Sequence, residues 1–333
     1  MALRWGIASA GAISHDFVSA VQLLPAEDHQ IVAVGARGME RASAFADKHK
    51  IPQAYGSYED LAHDVNVDVV YIGSIHPEHV KLCILFLNAR KRVLCEKPLT
   101  LSLRDTQLVL TTAKEKKLFL MEGIWSRCFP IYDHLKNHLA ENRIGNVVAL
   151  RASFGIACKD VERIMEKELG GGATMDLGIY PIQFANWVFG ETPQRVVAAG
   201  HLTSTGVDES ASITLLYSNN RIAQLFTSVA VPLDNEAVVY GTNGTITIIP
   251  VQHPTKMTIH QYLPNGVITL EDPEMDSAVS FNYTNGAGMR YEAEHVRKCV
   301  NEGLLESDIM PHKESEAIAK ILEDVVQAIG VYY

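Results

Sequence analysis

The chain has 333 residues, of which 47% are hydrophobic and 20% charged, a composition typical of a folded globular protein rather than a disordered chain. With 29 basic and 39 acidic residues its net charge is −10, which argues against a broad surface that binds nucleic acid. No apolar run approaches the roughly 20 residues that span a bilayer, and the amino-terminal stretch lacks the layout of a secretory signal. We therefore expect neither a nucleic-acid partner nor a membrane association.

The cysteines are odd in number and widely spaced, and none belongs to a Cys-x-x-Cys pair. They are Cys83, Cys95, Cys128, Cys158 and Cys299. This pattern disfavours both a disulfide framework and a structural zinc site. We expect a reduced, cytoplasmic protein that binds no metal.

The first third of the chain alternates short apolar runs with helical stretches. Strands are predicted at Leu3–Ser9, Gln30–Ala36, Val67–Ile72, Arg92–Cys95 and Leu118–Met121, and helices at Ala12–Leu24, Met39–His49, Pro77–Ala89 and Leu103–Lys116. Strands that alternate with helices of this length indicate parallel βαβ units, with helices on both faces of a doubly wound sheet.

After about Gly123 the pattern changes to closely spaced strands. A strand is predicted at Val147–Ile156 and a helix at Thr174–Val188, and turn signals at 218–220, 242–244 and 264–266 divide the stretch from 195 to 270 into strands. Such spacing favours an open, mostly antiparallel sheet. Helices at Arg290–Glu302 and Lys313–Ile329 follow. The sequence thus predicts two domains, residues 1–123 of α/β type and residues 124–333 of α+β type.

The first strand-to-helix turn is a candidate site for the pyrophosphate of a dinucleotide. Such a site needs a tight turn that brings backbone amides and a helix N-terminus against the phosphates, usually with the pattern G-x-G-x-x-G. The corresponding stretch is Ser9-Ala10-Gly11-Ala12-Ile13-Ser14, in which only the middle glycine is kept. A plain turn is the alternative, but the position inside a βαβ unit favours Ser9, Gly11, Ala12 and Ile13 as cofactor-binding residues.

The end of the second strand carries bases where an NAD-binding site usually carries an acid. The strand ends in Val34-Gly35-Ala36-Arg37, and Arg41 follows one helical turn later. Two guanidinium groups suit the 2′-phosphate of NADP, whereas a carboxylate would pair with the 2′-hydroxyl of NAD. Although solvated arginines are common at such junctions, the missing acid and the two bases together favour NADP.

Three further segments supply candidate site residues. His76 and His79 follow a buried strand, where they would face a cofactor or substrate or simply serve the loop. Another strand ends in Cys95-Glu96-Lys97-Pro98, which places a lysine in a partly desolvated position at the ligand edge. Far along the chain, Asp176 and Tyr180 are spaced by one helical turn, so that both can address one pocket.

With these motifs in view, nearly the whole chain resembles the glucose–fructose oxidoreductase/inositol dehydrogenase-like (Gfo/Idh/MocA) family. The resemblance rests on the amino-terminal turn, on Glu96-Lys97-Pro98 and on the glycine-rich lead into Asp-x-Gly-x-Tyr-Pro at Asp176–Pro181. Many members carry histidine where this chain has Tyr180. The resemblance implies a Rossmann domain followed by an open sheet with helices on one face, a cis peptide before Pro98, Glu96 and Lys97 near the cofactor, and a homodimer formed through the second sheet.

The resemblance also implies an enzyme that oxidises a secondary alcohol with a nicotinamide cofactor. A phenol is a weak base at neutral pH, but a nearby ammonium group favours its ionised form. We therefore interpret Tyr180 as the general acid/base, Lys97 as the group that tunes it, and Asp176 as a partner of Lys97 or of a substrate hydroxyl. The alternative is that Tyr180 is an ordinary buried tyrosine.

The substrate class depends on aromatic residues that would line a pocket. Trp125, Phe154 and Phe281 suit a flat cyclic diol such as trans-1,2-dihydrobenzene-1,2-diol, which would give catechol, while Arg127 would bind a substrate oxygen or cap local structure. Because aromatic faces also stack on sugars, D-xylose 1-dehydrogenase activity or another sugar or polyol dehydrogenase remains open. A non-catalytic NADP-binding sensor is the alternative from a different class.

Overall fold

The computed structural model describes residues 2–263, 265–272 and 279–333. Its helices, in chain order, are α1 (Ala12–Val21), α2 (Met39–His49), α3 (Tyr58–His63), α4 (His79–Asn88), α5 (Leu103–Lys116), α6 (Pro130–Ala140), α7 (Glu162–Met165), α8 (Ile179–Phe189), α9 (Met289–Asn301) and α10 (His312–Ala328). Within that part of the chain, none of these helices combines the length and the apolar character that a membrane crossing requires.

The chain forms two compact units that are not continuous in sequence. The described residues of Met1–Cys128 and Met275–Glu316 make up the first unit, and those of Phe129–Glu274 and Ala317–Tyr333 make up the second. The carboxyl-proximal segment that contains α9 thus belongs with the amino-terminal residues. A single boundary near residue 123 stays a prediction.

The first unit is built on a parallel sheet of six strands in the order β3-β2-β1-β4-β5-β6. The strands are β1 (Leu3–Ala8), β2 (His29–Gly35), β3 (Gln53–Tyr55), β4 (Val69–Ile72), β5 (Arg92–Glu96) and β6 (Leu120–Gly123). Every residue of β4 is fully buried, as a strand covered by helices on both faces requires. The predicted doubly wound sheet is confirmed, and its ligand-binding edge lies at the carboxyl ends of these strands.

Local signals explain why α5 begins and ends where the sequence predicts. The Ser102 side chain caps the helix by accepting a hydrogen bond from the Asp105 amide at 3.1 Å. Lys117 then takes the left-handed conformation with φ of 55°, which stops the helix after Lys116. By contrast, β3 and α3 are not among the predicted elements because they are only three and six residues long and carry little periodicity.

A buried aspartate fastens the carboxyl-proximal segment to α1. Asp16 is fully buried, and its carboxylate accepts hydrogen bonds from the backbone amides of Asn282 and Tyr283 and from the Asn282 side chain, at 2.8–2.9 Å. Hydrogen bonds from backbone amides to a carboxylate are among the stronger ones in proteins. Asp16, near the start of the chain, therefore fixes the backbone of Asn282 and Tyr283, which follow it by almost 270 positions.

The second unit is built on an eight-stranded sheet in the order β14-β13-β12-β11-β7-β10-β9-β8. The strands are β7 (Val147–Gly155), β8 (Arg195–Leu202), β9 (Asp208–Leu216), β10 (Ile222–Ser228), β11 (Ala237–Gly241), β12 (Gly244–Ile249), β13 (Lys256–Gln261) and β14 (Gly266–Glu271). All neighbouring pairs are antiparallel except β7 with β10. The predicted open, mostly antiparallel sheet is confirmed, although Pro264 of its third turn signal lies outside the described residues.

One face of this sheet packs on the helices of its own unit. Alternate residues of β9 and β10, among them Ile213 and Leu225, are buried, and α8 packs against β7 and β10. Ser212 and Phe226, which are cross-strand neighbours, point to the opposite face and are exposed. The alternate apolar residues of β9 and β10 therefore face the helices of their own unit.

Candidate functional site

The turn after β1 has the backbone geometry of a phosphate cradle. Ser9 takes a φ of 98°, a conformation that glycine adopts far more readily, so the serine departs from the usual pattern in side chain but not in backbone. Gly11 directly precedes α1 and cannot cap it with a side chain, which leaves the amides of the first turn to a ligand. Ala12 and Ile13 are the first helical residues.

A close approach of β4 to this turn completes the cradle. A methyl group on Gly73 would collide with Ser14 Oγ and would lie 2.8 Å from Tyr71 Cε1. Among the described residues, the buried Ser14 hydroxyl oxygen has no hydrogen-bond partner. A close-packed turn with spare polar atoms fits the pyrophosphate of a dinucleotide.

The two arginines of the second strand meet a residue that sequence reasoning missed. Tyr58, at the start of α3, lies close to the Ser9 side chain and to the positive charges of Arg37 and Arg41. Burial raises the pKa of Tyr58, while both arginines and the Ser9 side chain oppose the rise. Ser9, Arg37, Arg41 and Tyr58 thus surround one small region beside the turn.

An open hollow lies next to the same turn within the first unit. It is lined by Ala10, Gly11, Ala12, His15, Arg41, Ala44, Phe45, Lys48 and Asn282. Its charged lining groups are the cations of Arg41 and Lys48. The negative net charge of the chain therefore coexists with a local basic site, which suits a phosphorylated ligand.

The two histidines after β4 are both buried, and their rings lie 5.7 Å apart. Nδ1 of His79 faces the Pro98 carbonyl oxygen at 2.8 Å, and Nε2 faces the Ser74 carbonyl oxygen at 3.1 Å. Burial lowers the pKa of His79, so that the neutral ring donates one of these two bonds. This geometry favours a supporting role for His79, and its contact with a cofactor, like that of His76, stays a prediction.

The segment that carries Lys97 is held by carboxylates on both sides. Glu96 Oε1 accepts a hydrogen bond from the Tyr71 hydroxyl at 2.6 Å, and Glu122 Oε1 accepts one from the Leu99 amide at 2.8 Å. The Lys97–Pro98 peptide bond is cis, as the resemblance implied. Lys97 itself is half-buried at the end of β5, at the ligand edge of the sheet.

A third carboxyl group lies behind this edge. Glu292, on α9, is fully buried, and a methyl group on Gly123 would lie 3.6 Å from its Oε2. Burial and the neighbouring charge of Glu96 raise the pKa of Glu292 well above its ordinary value. No sequence motif indicated Glu292, because it follows Glu96 by almost 200 positions and lies near it only in the folded chain.

Three of the predicted pocket residues belong to the first unit. Trp125 is half-buried, and Phe281 packs so closely on Gly286 that a methyl group there would lie 2.6 Å from its Cδ1. The buried Arg127 donates a hydrogen bond to Glu314 Oε2 at 3.2 Å. That ion pair favours the local-structure alternative for Arg127, and its contact with substrate stays a prediction.

In the second unit, Asp176 lies in a π-helical segment, Thr174–Gly178, that leads directly into α8. Arg163 donates to Asp176 Oδ1 at 2.8 Å and to Oδ2 at 3.4 Å. Sequence reasoning treated the stretch before Leu169 only as charged and missed this arginine. The partner of Asp176 within its own unit is therefore Arg163, whereas a pairing with Lys97 stays a prediction.

The start of this segment is fixed by a buried aspartate from β9. Asp208 Oδ2 accepts hydrogen bonds from the Thr174 amide and hydroxyl, both at 2.7 Å. Gly172 has a φ of 111°, and a methyl group there would collide with Asp208 Oδ1. Gly172 thus leaves room for the Asp208 carboxylate, which caps the π-helical segment.

Tyr180 stands one turn after Asp176, near the start of α8, and is almost fully buried. Its ring meets that of Phe154 edge to face, with centroids 5.5 Å apart and planes at 87°. The structure brings these two predicted residues together. Lys97 belongs to the other unit, so the approach of Lys97 to Tyr180 stays a prediction.

A parallel sheet with a phosphate cradle, followed by a unit that presents a buried aspartate and tyrosine, defines a nicotinamide-dinucleotide-binding oxidoreductase. Residues 3–124 match the family described as "Oxidoreductase family, NAD-binding Rossmann fold", and residues 132–247 match the "GFO/IDH/MocA C-terminal domain". The chain belongs to the Gfo/Idh/MocA family of oxidoreductases, which confirms the resemblance. It is therefore an enzyme, an oxidoreductase with a nicotinamide-dinucleotide-binding domain.

Curated relatives match the chain over its full length. A protein of Danio rerio is 48% identical over 100% of this chain and 98% of its own length, and one of Xenopus tropicalis is 46% identical over 100% of both. A protein of Homo sapiens is 42% identical over 100% of this chain and 98% of its own. Each is named trans-1,2-dihydrobenzene-1,2-diol dehydrogenase.

Solved structures share the fold at lower identity. KijD10, a 3-ketoreductase of Actinomadura kijaniata in complex with NADP and TDP-benzene, is 22% identical with a TM-score of 0.85, and the match covers 100% of both chains. An oxidoreductase of Agrobacterium radiobacter in complex with NAD+, L-tartaric acid and magnesium is 19% identical with a TM-score of 0.85, over 98% and 96% of the two chains. Both nucleotides thus occur on this fold.

Proposed function

We propose that the protein is an NADP-dependent dehydrogenase that oxidises trans-1,2-dihydrobenzene-1,2-diol to catechol. The observation that carries the proposal is the buried phenol of Tyr180, set edge to face against Phe154 at 5.5 Å and one turn after Asp176. An aromatic wall beside a proton-transferring phenol suits a flat cyclic alcohol. The names of the full-length relatives support the same substrate.

The oxidation removes two hydrogens from the diol, one as a proton and one as a hydride. In the proposal, Tyr180 Oη accepts the hydroxyl proton, and the Lys97 cation stabilises the negative charge on the oxygens. Asp176, held by Arg163, fixes the start of the helix that carries Tyr180. A bound nicotinamide cofactor would supply the acceptor for the hydride that leaves the carbon bearing this hydroxyl. Loss of the proton and the hydride gives a hydroxydienone, which becomes catechol when the neighbouring carbon loses its C–H proton and the ketone oxygen gains one.

A Tyr180→Phe variant tests the role of the phenol. We expect turnover to fall by about 100-fold or more, since general acid/base groups contribute roughly that much, while cofactor affinity stays within about twofold. Steady-state kinetics, followed by the absorbance of the reduced nicotinamide, and fluorescence titration with the cofactor measure the two effects.

Tyr132→Phe is the matched control, because Tyr132 is another buried tyrosine of the second unit, whose hydroxyl accepts a hydrogen bond from Gln183. This variant should keep its turnover. Normal turnover in Tyr180→Phe, or no oxidation of the diol by the folded wild type with either nucleotide, would contradict the proposal.

The choice of NADP rests on the basic groups beside the turn. Arg37 and Arg41 both lie near Tyr58, and no carboxylate stands between the end of β2 and Arg37. We expect Arg37→Ala to weaken the preference for NADP over NAD by about tenfold or more, since a charge-assisted bond to phosphate is worth roughly 1.5–3 kcal/mol. The ratio of kcat/KM with NADP to kcat/KM with NAD measures this preference.

Arg104→Ala, which alters an exposed arginine of α5, is the control. An unchanged ratio of the two kcat/KM values in Arg37→Ala would contradict the assignment of Arg37 to the 2′-phosphate.

A sugar is the second substrate to be tried, because the predicted pocket residues Trp125 and Phe154 are aromatic and aromatic rings also stack on sugar rings. A panel that contains the diol, D-xylose and other pentoses, run with NADP and with NAD, ranks the candidates by kcat/KM. The diol should rank first, and a higher value for D-xylose would move the proposal to an aldose dehydrogenase.

The proposal includes a homodimer in the cytoplasm. All five cysteines are free, as expected in a reducing compartment. The outer face of the second sheet carries Phe226, which is 41% exposed in the middle of β10 and is flanked by Ser153 and Ser212 on the neighbouring strands. A large apolar side chain among small ones suits the centre of a self-complementary contact.

A further inference from the structure

The end of α9 gathers three metal-ligating side chains in the first unit, apart from the residues assigned above to the reaction. His295 and Cys299 are spaced by four residues and so lie on one face of the helix, and Asp308 reaches them from the following loop. One atom from each side chain lies within 4.8 Å of the other two. His295 and Cys299 are mostly buried, whereas the Asp308 side chain is 81% exposed, which leaves the cluster open to solvent.

The contacts converge on one ring nitrogen. His295 Nε2 lies 3.4 Å from Cys299 Sγ, 3.6 Å from Asp308 Oδ1 and 2.7 Å from Ser307 Oγ. The Ser307 oxygen already accepts hydrogen bonds from the amides of Ile309 and Met310, at 3.0 and 2.8 Å. Ser307 therefore donates its own proton to Nε2, which leaves Nε2 unprotonated and able to bind a metal ion once this hydrogen bond is released.

These distances match the edges of a tetrahedral metal site. Metal–nitrogen and metal–oxygen bonds of about 2.1 Å and a metal–sulfur bond of about 2.3 Å place tetrahedral ligands roughly 3.4–3.6 Å apart. The two distances from Nε2 already have this length. The Cys299–Asp308 edge is at most 4.8 Å, and rotation of the exposed Asp308 side chain can bring it to the tetrahedral length.

We propose that His295, Cys299 and Asp308 bind one Zn²⁺ ion. Imidazole and thiolate suit a borderline-soft divalent cation and disfavour Mg²⁺ and Ca²⁺, which prefer oxygen ligands. On binding, the Cys299 thiol releases its proton to solvent, and the bond from Nε2 to the metal replaces the hydrogen bond from Ser307. A water molecule takes the fourth position, as is usual where a protein supplies three ligands.

The site would fasten α9 to the loop that supports the edge of the first sheet. Leu305, in that loop, accepts a hydrogen bond from the amide of Leu120 at the start of β6, and His312 Nε2 lies 3.0 Å from the Leu120 carbonyl oxygen. An ion that binds the folded state alone stabilises it by mass action. Zn²⁺ therefore stabilises the first unit, and the sequence-based expectation of no metal is revised by this proposal.

The test uses the full chain after treatment with a chelator. Calorimetric titration with ZnCl₂ should give one ion per chain, and CoCl₂ should produce the sulfur-to-cobalt charge-transfer band of a thiolate ligand. Cys299→Ser should abolish that band and weaken Zn²⁺ binding by about 100-fold or more. Cys128→Ser, which alters a half-buried cysteine of the same unit, should change neither.

Asp308→Asn keeps the proposal testable if Cys299→Ser fails to fold, because an exposed loop side chain contributes little to folding. It should weaken Zn²⁺ binding by about tenfold or more, and MgCl₂ should give no binding to the wild type. Loss of the cobalt band in Cys128→Ser, its persistence in a folded Cys299→Ser, or unchanged binding by Asp308→Asn overturns the proposal.

Discussion

Glu292 shows how burial decides the charge of a single residue. Its carboxyl group is fully enclosed behind β6, and its oxygens have no hydrogen-bond partner among the described residues. Burial and the nearby Glu96 raise its pKa well above the ordinary value, which favours the protonated form in the folded protein. In the unfolded chain, the carboxyl group of Glu292 has a pKa of about 4.3.

The raised pKa predicts the direction of a pH effect on stability. Below about pH 4 the group is protonated in both states, and above it only the unfolded state releases the proton, so the stability falls as the pH rises. Glu292→Gln removes this dependence. The free energy of unfolding of this variant relative to wild type should rise by up to about 1.4 kcal/mol per pH unit from about pH 5 upward, until the pH reaches the raised pKa of Glu292.

Urea unfolding at a series of pH values measures the effect, and Glu115→Gln, an exposed glutamate of α5, is the control. Parallel curves for wild type and Glu292→Gln would contradict the assignment of a neutral carboxyl group.

The sequence predicted site residues where they follow a strand end, and it missed those that come from elsewhere in the chain. Lys97 was found because it follows a buried strand, and Asp176 because of its motif with Tyr180. Arg163 pairs with Asp176, and Glu292 lies near Glu96, in each case from a separate segment that carries no periodic or motif signal. Their contacts depend on the fold, so that one sequence could not indicate them.

At the level of elements, the segment that carries Asp176 depends on the glycine turn before it. Its first residue, Thr174, is capped by Asp208, and Gly172 gives the carboxylate its space through a left-handed backbone. Burial raises the pKa of Asp208, while its hydrogen bonds to Thr174 oppose the rise. The position of Asp176 therefore depends on a residue with no side chain.

Gly172→Ala should be strongly destabilising. The left-handed φ costs an alanine about 1–2 kcal/mol, and the collision with Asp208 adds roughly 1–3 kcal/mol. Gly206→Ala is the matched control, because Gly206 also has a positive φ of 83° but nothing lies within 4 Å of the added methyl group. Gly206→Ala should lower the free energy of unfolding only by the backbone contribution, about 1–2 kcal/mol. Chemical denaturation measures both, and equal losses would contradict the role of Asp208.

The accuracy of the predicted elements follows their length and their end signals. The bounds of α2 and α5 agree with the prediction, since both helices are amphipathic and both end at a left-handed lysine. By contrast, α6 was not predicted although it has eleven residues. The π-helical turn before α8 also escaped prediction, because the predicted helix over 174–188 cannot distinguish it from an α-helical turn.

For the whole molecule, the second sheet presents an outer face that its own helices do not cover. The residues directly opposite Phe226 on the neighbouring strands, Ser153 and Ser212, are small, so a second copy of the chain could approach closely. Phe226→Asp places a charge at the centre of this face, and burial of an unpaired charge is costly.

We expect wild type to sediment as a dimer of the 36.7 kDa chain and Phe226→Asp to sediment as a monomer. Leu108→Asp, at an apolar position of α5 that is 51% exposed, should leave the mass unchanged. A monomeric wild type, or a Phe226→Asp variant that stays dimeric, would contradict the proposed contact.

The hydrogen bonds from Asn282 and Tyr283 to the Asp16 carboxylate can form only late in the synthesis of the chain. A ribosome that has made the whole parallel sheet has not yet made the two amides that the Asp16 carboxylate needs. Until then the carboxylate lies without these partners, and the first unit is incomplete. Most of the second unit is translated between the parallel sheet and Asn282. The first unit therefore begins first but is completed only after most of the second unit has been synthesised.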